Sequence, residues 1–393
     1  EEVLNECLSY ARIRLSDLSF RTYFPKVGTF DLSPDRFKLS FSASPSNSVS
    51  YRGLLTDWSL LSGLLGHNIS YANKLKTALM QYLKLLPNTQ RKRLFELSLN
   101  TLDRLVRTLP SDVKLSMKCS APKNNGLSQL FPKIEAAGKV RVFALVDSIT
   151  QTFMSPLHDI LFSFLRKLPN DGTFDQEASV KRSIEKASIS GKAWSFDLSA
   201  ATDRLPAKLT AQLIESLVAI PGLGQAWLAI MTDRGFSFHD SGFGNLSSSL
   251  REETDGNPIH YSVGQPMGAL SSWAGLAVTH HFVVQLCWHK LGYKGWCTDY
   301  ELLGDDIVIF NEQLAERYLS LMTDLGLEIN LSKSISAPDR PVFEFAKRTV
   351  MNGINVSPIS FKQLFSQTSL GSRVADAYRW LQEGLISNLF QLN

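Results

Sequence analysis

Apolar residues first fall into a helical rhythm at Leu75, Leu79, Leu83 and Leu86, which share one face before Pro87 stops the run. A looser version, Leu94, Leu97, Leu102, Leu105 and Leu109, leads to Pro110. Lys74, Lys76, Lys84, Arg91, Lys92, Arg93, Arg104 and Arg107 are then expected on the outward faces. From Lys139 the period changes. Val140, Val142 and Ala144 alternate with Arg141 and Phe143 as in a strand, and an apolar run from Phe153 to Leu168 returns to helix. Pro169-Asn170-Asp171-Gly172 makes a turn.

Trp194, Phe196 and Leu198 flank Asp197 in a further strand, and Pro206 opens a helix that reaches Ile220 before Pro221-Gly222. Between Tyr300 and Phe310, two apolar arms surround Gly304-Asp305-Asp306, which predicts a hairpin with two carboxylates at its tip. Asn311 caps a helix whose Leu314, Tyr318, Leu321 and Leu325 share a face until Gly326. Strands follow at Leu327 to Leu331 and Val342 to Ala346. This order of elements describes an α+β fold with an antiparallel sheet.

With 393 residues, 44% of them apolar, the chain has material for two or three packed units, which excludes disorder, collagen and mini-protein scaffolds. Four cysteines without paired spacing, Cys7, Cys119, Cys287 and Cys297, exclude a disulfide framework and a zinc site. The net charge is only +4, yet Lys74 to Arg141 holds fourteen Lys or Arg against four acids. A basic face beside an acidic remainder suits a polyanion held next to carboxylates, although a solvated helical surface gives the same pattern. No signal peptide is visible, and the opening Glu1-Glu2 suggests a processed or partial chain. Asn257 to His289 contains no Asp, Glu, Lys or Arg, but its prolines, serines and histidines predict a buried helix, so no membrane span is expected.

Adjacent carboxylates in a tight turn repel by about 4 kcal/mol at a separation of about 4 Å and an effective dielectric near 20. A cation relieves this. With Asp197 on a neighbouring strand, three carboxylates can converge, and oxygen ligands favour Mg²⁺ or Mn²⁺ over zinc. Two such ions support phosphoryl or nucleotidyl transfer. Gly304-Asp305-Asp306 alone fits a surface turn equally well. The adjacent His280-His281 points two imidazoles about 100° apart on a helix, which disfavours a shared ion and favours core or template-facing contacts.

The run from Ser195-Phe196-Asp197 to Asp203-Arg204-Leu205-Pro206, then Gly264-Gln265-Pro266-Met267-Gly268 with Ser271-Ser272-Trp273, then Leu303-Gly304-Asp305-Asp306, resembles palm motifs A, B and C of viral RNA-dependent RNA polymerases. The likeness is closest to the mitoviruses, with narnaviruses, ourmia-like viruses and leviviruses more distant. Gly138-Lys139-Val140-Arg141, Pro156-Leu157-His158-Asp159, Asp171-Gly172-Thr173 and Thr279-His280-His281 are further marks of that group. Together they cover Gly138 to Arg348.

That resemblance implies a right-hand polymerase with an antiparallel palm sheet, helical fingers and a short or truncated thumb. The implied metal ligands are Asp197 and Asp305, with Asp306 weaker, holding two Mg²⁺ or Mn²⁺ ions. Asp203 would sense the ribose hydroxyls, while also serving as a helix cap. Lys139 and Arg141 would neutralise the triphosphate. Gly264 and Gly268 would let backbone approach template or nucleotide, and Ser271 and Ser272 would bond the ribose or orient Asp203. Gly275 and Leu276 stand where many relatives carry Asn, which leaves ribose selection unassigned. Lys333 would act as general acid toward pyrophosphate, and Lys347 or Arg348 would touch RNA backbone phosphate.

The expected organisation is an N-terminal region and fingers at 1–190, palm at 191–206, a fingers insertion at 207–260, palm at 261–350 and the start of a thumb or an extension at 351–393. The expected activity is replication of a positive-strand RNA genome from NTPs, with template and product RNA as partners and no obligate protein partner. A reverse transcriptase, disfavoured by Leu303-Gly304 where that group usually has an aromatic, and an inactive palm relic that binds RNA are the alternatives; a palm-type cyclase is remoter. Residence in the host mitochondrion follows from the resemblance, with the cytoplasm as alternative.

Overall fold

The computed structural model describes residues 1–23, 40, 44–46, 50–64, 69–120, 126–134, 140–244, 246–254, 257–358, 369–382, 384–388 and 390. Helices α1 (Glu2–Ile13), α2 (Phe20–Tyr23), α3 (Ser50–Leu61), α4 (Ala72–Leu85), α5 (Gln90–Thr108) and α6 (Ser111–Ser120) come first. Strands β1 (Ser128–Ile134) and β2 (Val140–Val146) precede α7 (Ser148–Leu165), α8 (Gln176–Ser190), β3 (Ala193–Phe196) and β4 (Leu198–Ser199). Next are α9 (Ala201–Arg204), α10 (Ala207–Val218), α11 (Leu223–Thr232), β5 (Ser237–Phe238), α12 (Asp240–Phe243), α13 (Leu246–Glu253) and α14 (Ser272–Lys290). The remainder is β6 (Tyr300–Leu303), β7 (Asp306–Ile309), α15 (Glu312–Asp324), β8 (Glu328–Ile329), β9 (Ile335–Ala337), β10 (Val342–Phe345), β11 (Arg348–Met351), β12 (Ile354–Asn355) and α16 (Leu370–Gln382).

These elements form two compact units, Glu1–Phe164 with Ala200–Thr279 and Leu165–Ser199 with His280–Asn393. Residues 165–190 share a unit with the Asp197 strand, and residues 261–279 share one with 207–260. Among the described residues, no helix is long and apolar enough to cross a membrane. Cys7, Cys287 and Cys297 are buried and not disulfide-bonded.

In the first unit, α4 buries Leu75, Leu79 and Leu83 as its spacing predicts. Helix α5 departs from expectation. Leu94, Leu97 and Leu105 are exposed, whereas Leu99 and Val106 are buried together with Lys92, which was expected outside. The Lys92 ammonium donates to the carbonyls of Lys84 (3.0 Å) and Leu86 (2.9 Å), satisfying orphan acceptors at the end of α4. A charged group that caps a neighbouring helix thus rotates the leucines outward. Strand β2 pairs antiparallel with β1 from Ser128↔Val146 to Ile134↔Val140, and β5 adds to β1 in parallel. Asp147 caps α7, accepting from the Thr150 amide (2.8 Å) and hydroxyl (2.6 Å), so the helix begins five residues before the apolar run.

Asp147 also holds Arg234 at 2.6 Å, both fully buried. Beside them lies buried Asp57, whose oxygens accept from the Ser148 amide (2.7 Å), the Ser148 hydroxyl (2.6 Å) and Ser46. Burial, aided by the Asp147 charge, pushes the Asp57 pKa up to about 7 against those hydrogen bonds. The unfolded chain releases this proton near the ordinary value of about 3.9, while the native state keeps it. Native stability from this group therefore falls as pH rises from about 4 to 7. Asp57→Asn presents an amide donor where the proton would sit and should flatten that window. The wild-type-minus-variant slope, read from thermal melts across the range, should approach about 1.4 kcal/mol per pH unit; parallel profiles would contradict the assignment.

The second unit is built on an antiparallel sheet in the order β6-β7-β3-β9. One side packs Val308 and Phe310 with Val180 and Ala187 of α8 and Phe343 and Phe345 of β10. On the other, Phe196 stacks on Tyr318 of α15 at 5.5 Å between ring centroids. Edge strand β6 is covered by the turn at Asn170 to Gly172. The Leu302 amide donates to the Asn170 carbonyl (3.1 Å), and the Gly172 amide to Leu302 (2.8 Å).

Candidate active site

The hairpin forms where expected. Leu303 pairs with Asp306 across a two-residue turn, Gly304-Asp305. Gly304 takes φ 65°, and Asp305 is not among the positive-φ residues. That combination is the type II′ turn, which favours glycine at its first central position. Next to it, β3 pairs with β7 through Ser195↔Val308 and Phe196↔Ile307. The same register brings Asp197 level with Asp306. Asp197 and Asp305 are exposed there and Asp306 is half-buried.

Each acid is fixed differently. The Asp197 amide donates to the Ser334 hydroxyl (3.1 Å), and its carbonyl accepts from the Asn330 amide (2.9 Å). The turn between those residues carries Lys333, whose Nζ lies 4.0 Å from the Asp197 carboxylate. Asp306 accepts the Ala346 amide at 2.6 Å. That amide belongs to the β10–β11 hairpin, whose central residues Ala346 (φ 52°) and Lys347 (φ 60°) both take the left-handed conformation, at about 1–2 kcal/mol each without glycine. Burial pushes the Asp306 pKa up to about 7; the charges of Asp305, Glu344 and Asp197 add to this, and the Ala346 amide opposes it. Four carboxylates thus crowd one end of the sheet. Glu344 was not foreseen, because only the packing of β10 against β3, where the Glu344 amide donates to the Ser195 hydroxyl (2.9 Å), brings it there.

Among the described residues, no group of three or more His, Cys, Asp or Glu side chains is placed so that it could hold a metal ion. The donor set nevertheless fits a hard cation in its chemistry: oxygen ligands only, mutually repelling, with Asp197 and Asp305 exposed. The histidines are committed elsewhere. His280 contacts the Gly304 carbonyl and the Tyr318 hydroxyl, and His281 contacts the Tyr300 hydroxyl (2.7 Å) and the Asp171 carboxylate (3.0 Å). Arg348 pairs with Glu177 at 2.9 Å, while Lys347 is exposed at the hairpin tip.

The other expected residues belong to the first unit. Lys139 lies outside the described residues. Arg141 stands opposite Lys133 on the β1–β2 ladder. Asp203 is hydrogen-bonded to Tyr261, and desolvation nevertheless raises its pKa. A Cβ at Gly264 would fall 2.3 Å from the Thr202 carbonyl and 2.4 Å from the Asp203 carbonyl carbon. Glycine is required there by the protein's own backbone. Gly268, at φ 126°, packs against the Ala144 carbonyl, which would lie 2.9 Å from a Cβ. The Ser271 hydroxyl accepts from the Trp227 indole at 2.9 Å, and its amide donates to His158 at 3.2 Å. The Ser272 hydroxyl is buried without a hydrogen-bond partner among the described residues. Gln151, not foreseen, grips this loop, donating to the Gly268 carbonyl (2.9 Å) and accepting from the Leu270 amide (2.7 Å). Neither serine orients Asp203 in this structure; its partner is Tyr261.

Compared with known proteins, residues 30–393 match the family model described as Mitovirus RNA-dependent RNA polymerase, and the chain belongs to that family. It is 36% identical over 233 residues to the RNA-directed RNA polymerase of Cryphonectria parasitica mitovirus 1, a match covering 59% of this chain and 26% of that protein. It is 33% identical over 224 residues to an uncharacterized mitochondrial protein of Arabidopsis thaliana, covering 56% of this chain and 83% of the plant protein. The chain thus spans about a quarter of its viral relative's length. Among solved structures, an insertion loop deletion mutant of the RNA-dependent RNA polymerase of a human picorbirnavirus aligns with a TM-score of 0.46 and 13% identity, over 65% of this chain and 53% of that one.

Proposed function

We propose that the chain acts as an RNA-dependent RNA polymerase of right-hand architecture, copying a positive-strand viral RNA genome from NTPs. The observation that carries this is the β3–β7 register, which sets Asp197 level with Asp306 and beside Asp305 in a member of this family. Asp197 and Asp305 would hold Mg²⁺ or Mn²⁺, with Asp306 as the weaker ligand. Two such ions, when bound, would activate an RNA 3′-hydroxyl and stabilise the leaving oxygen. Lys333, exposed and 4.0 Å from the Asp197 carboxylate, would act as general acid toward departing pyrophosphate. Arg141 and Lys139 are proposed to neutralise the triphosphate, and Lys347 to meet RNA phosphate. Arg348, the other expected phosphate contact, pairs with Glu177 at 2.9 Å. Residence in mitochondria is part of this proposal, supported by the family and by the plant relative named as a mitochondrial protein.

Purified protein given an RNA template and Mg²⁺ or Mn²⁺ should incorporate NTPs. Preferential use of dNTPs would make it a reverse transcriptase. Template binding with no incorporation would make it an inactive RNA-binding relic.

A further inference from the structure

The conformation of the Gly304-Asp305 turn depends on one peptide group. Type I′ and type II′ turns differ by a flip of the central peptide, whose carbonyl here is that of Gly304, and the flipped form requires a positive φ at the second central residue as well. That residue is Asp305. Whatever holds the Gly304 carbonyl therefore holds the backbone direction from which the Asp305 side chain departs.

His280 holds it. Its Nδ1 lies 2.9 Å from the Gly304 oxygen and its Nε2 lies 2.7 Å from the Tyr318 hydroxyl, with the imidazole 1% exposed. A carbonyl can only accept, so Nδ1 carries the hydrogen; Nε2 is then the acceptor and Tyr318 donates to it. The Tyr318 ring stacks on His280 at 5.7 Å and on Phe196 at 5.5 Å. Phe196 immediately precedes Asp197, as Gly304 precedes Asp305. One buried tyrosine thus touches Phe196 directly and reaches Gly304 through His280, linking the neighbours of two acids more than a hundred residues apart.

We infer that His280, with its hydroxyl partner Tyr318, is a positioning residue that locks the Gly304-Asp305 peptide and so fixes Asp305 relative to Asp197 for divalent-cation binding. The inference rests on the assignment of those acids as metal holders. It explains why an imidazole is spent in an apolar interior, since leucine would fill the space without donating.

The probe is Mn²⁺ alone, titrated into the full chain and followed by the electron paramagnetic resonance signal of free Mn²⁺, which needs no turnover. His280→Leu should weaken Mn²⁺ binding by about tenfold, the scale on which groups that orient metal ligands act. His280→Asn, whose amide nitrogen can occupy the Nδ1 position, should stay within about twofold of wild type. Circular dichroism reports whether each variant is folded. Equal weakening in both variants, or wild-type affinity in His280→Leu, overturns the inference. Should His280→Leu fail to fold, Tyr318→Phe replaces it: loss of the hydroxyl leaves Nε2 without the partner that holds the ring against the Gly304 carbonyl, and a Mn²⁺ affinity identical to wild type again overturns it. A wild-type chain that binds Mn²⁺ but incorporates no nucleotide would sink the polymerase proposal and leave this one standing. A wild-type chain that binds no Mn²⁺ would sink this one.

Discussion

Asp305→Ala is expected to reduce NTP incorporation by at least about a thousandfold while RNA affinity stays within about twofold of wild type. Asp305 is the suitable acid for this test because its side chain is exposed at a turn position without positive φ, where alanine fits unstrained. Asp306 is less informative. Its carboxylate also receives the Ala346 amide at 2.6 Å, so removing it loosens the neighbouring hairpin. RNA affinity, in contrast, depends on cations meeting phosphates, and deleting an acid removes none of them. Filter binding at fixed salt and incorporation on the same template check the two halves. Comparable losses in both would make Asp305 a structural residue.

The second large effect is expected at Glu301, three residues before that turn's glycine. Its side chain is fully buried between two cationic partners. It accepts from Arg182 at 2.9 and 2.7 Å, from Lys186 at 2.6 Å and from the Ser179 hydroxyl at 2.5 Å. Arg182 and Lys186 keep 33% and 23% of their side-chain surface, so water can partly rehydrate them once Glu301 is gone. Even so, removing one partner from a buried network costs about 3–5 kcal/mol, and Glu301→Ala should lose about 3 kcal/mol of stability by urea denaturation. Glu301→Gln, which keeps the shape and an acceptor, should lose clearly less. A loss below about 1 kcal/mol for the alanine variant would show that the network is a surface-like pairing.

These two residues show what could be read from the chain beforehand. The turn bearing Asp305 was legible because it is local: glycine, a short loop and apolar arms specify a hairpin without reference to the rest of the molecule. The helix from Asn311 was equally local, and its cap forms, with the asparagine oxygen accepting from the Leu314 amide at 3.1 Å. Glu301 is hidden in the sequence among apolar neighbours. Its signal lies more than a hundred residues earlier, where Ser179, Arg182 and Lys186 share one face of α8. Strands β1 and β9 were missed for a related reason: three to seven residues become strands through partners, and partners are set by the fold. The leucines of α5 misled because Lys92 found two carbonyls to cap, and no periodicity in α5 itself encodes the end of α4. The candidate site divides similarly. Acids on turns and strand ends were visible, whereas Glu344, Gln151 and the Tyr261 partner of Asp203 come from pairing and packing.

Everything proposed for catalysis requires divalent ions held between Asp197 and Asp305. Iron(II) substituted for Mg²⁺, with ascorbate and peroxide, cleaves backbone next to the ion and reads that position directly. The expected result is two cuts, one beside Asp197 and one at Gly304 to Asp306, both suppressed by excess Mg²⁺ and by Asp305→Ala. Cleavage at only one of these segments, or at neither, would contradict it.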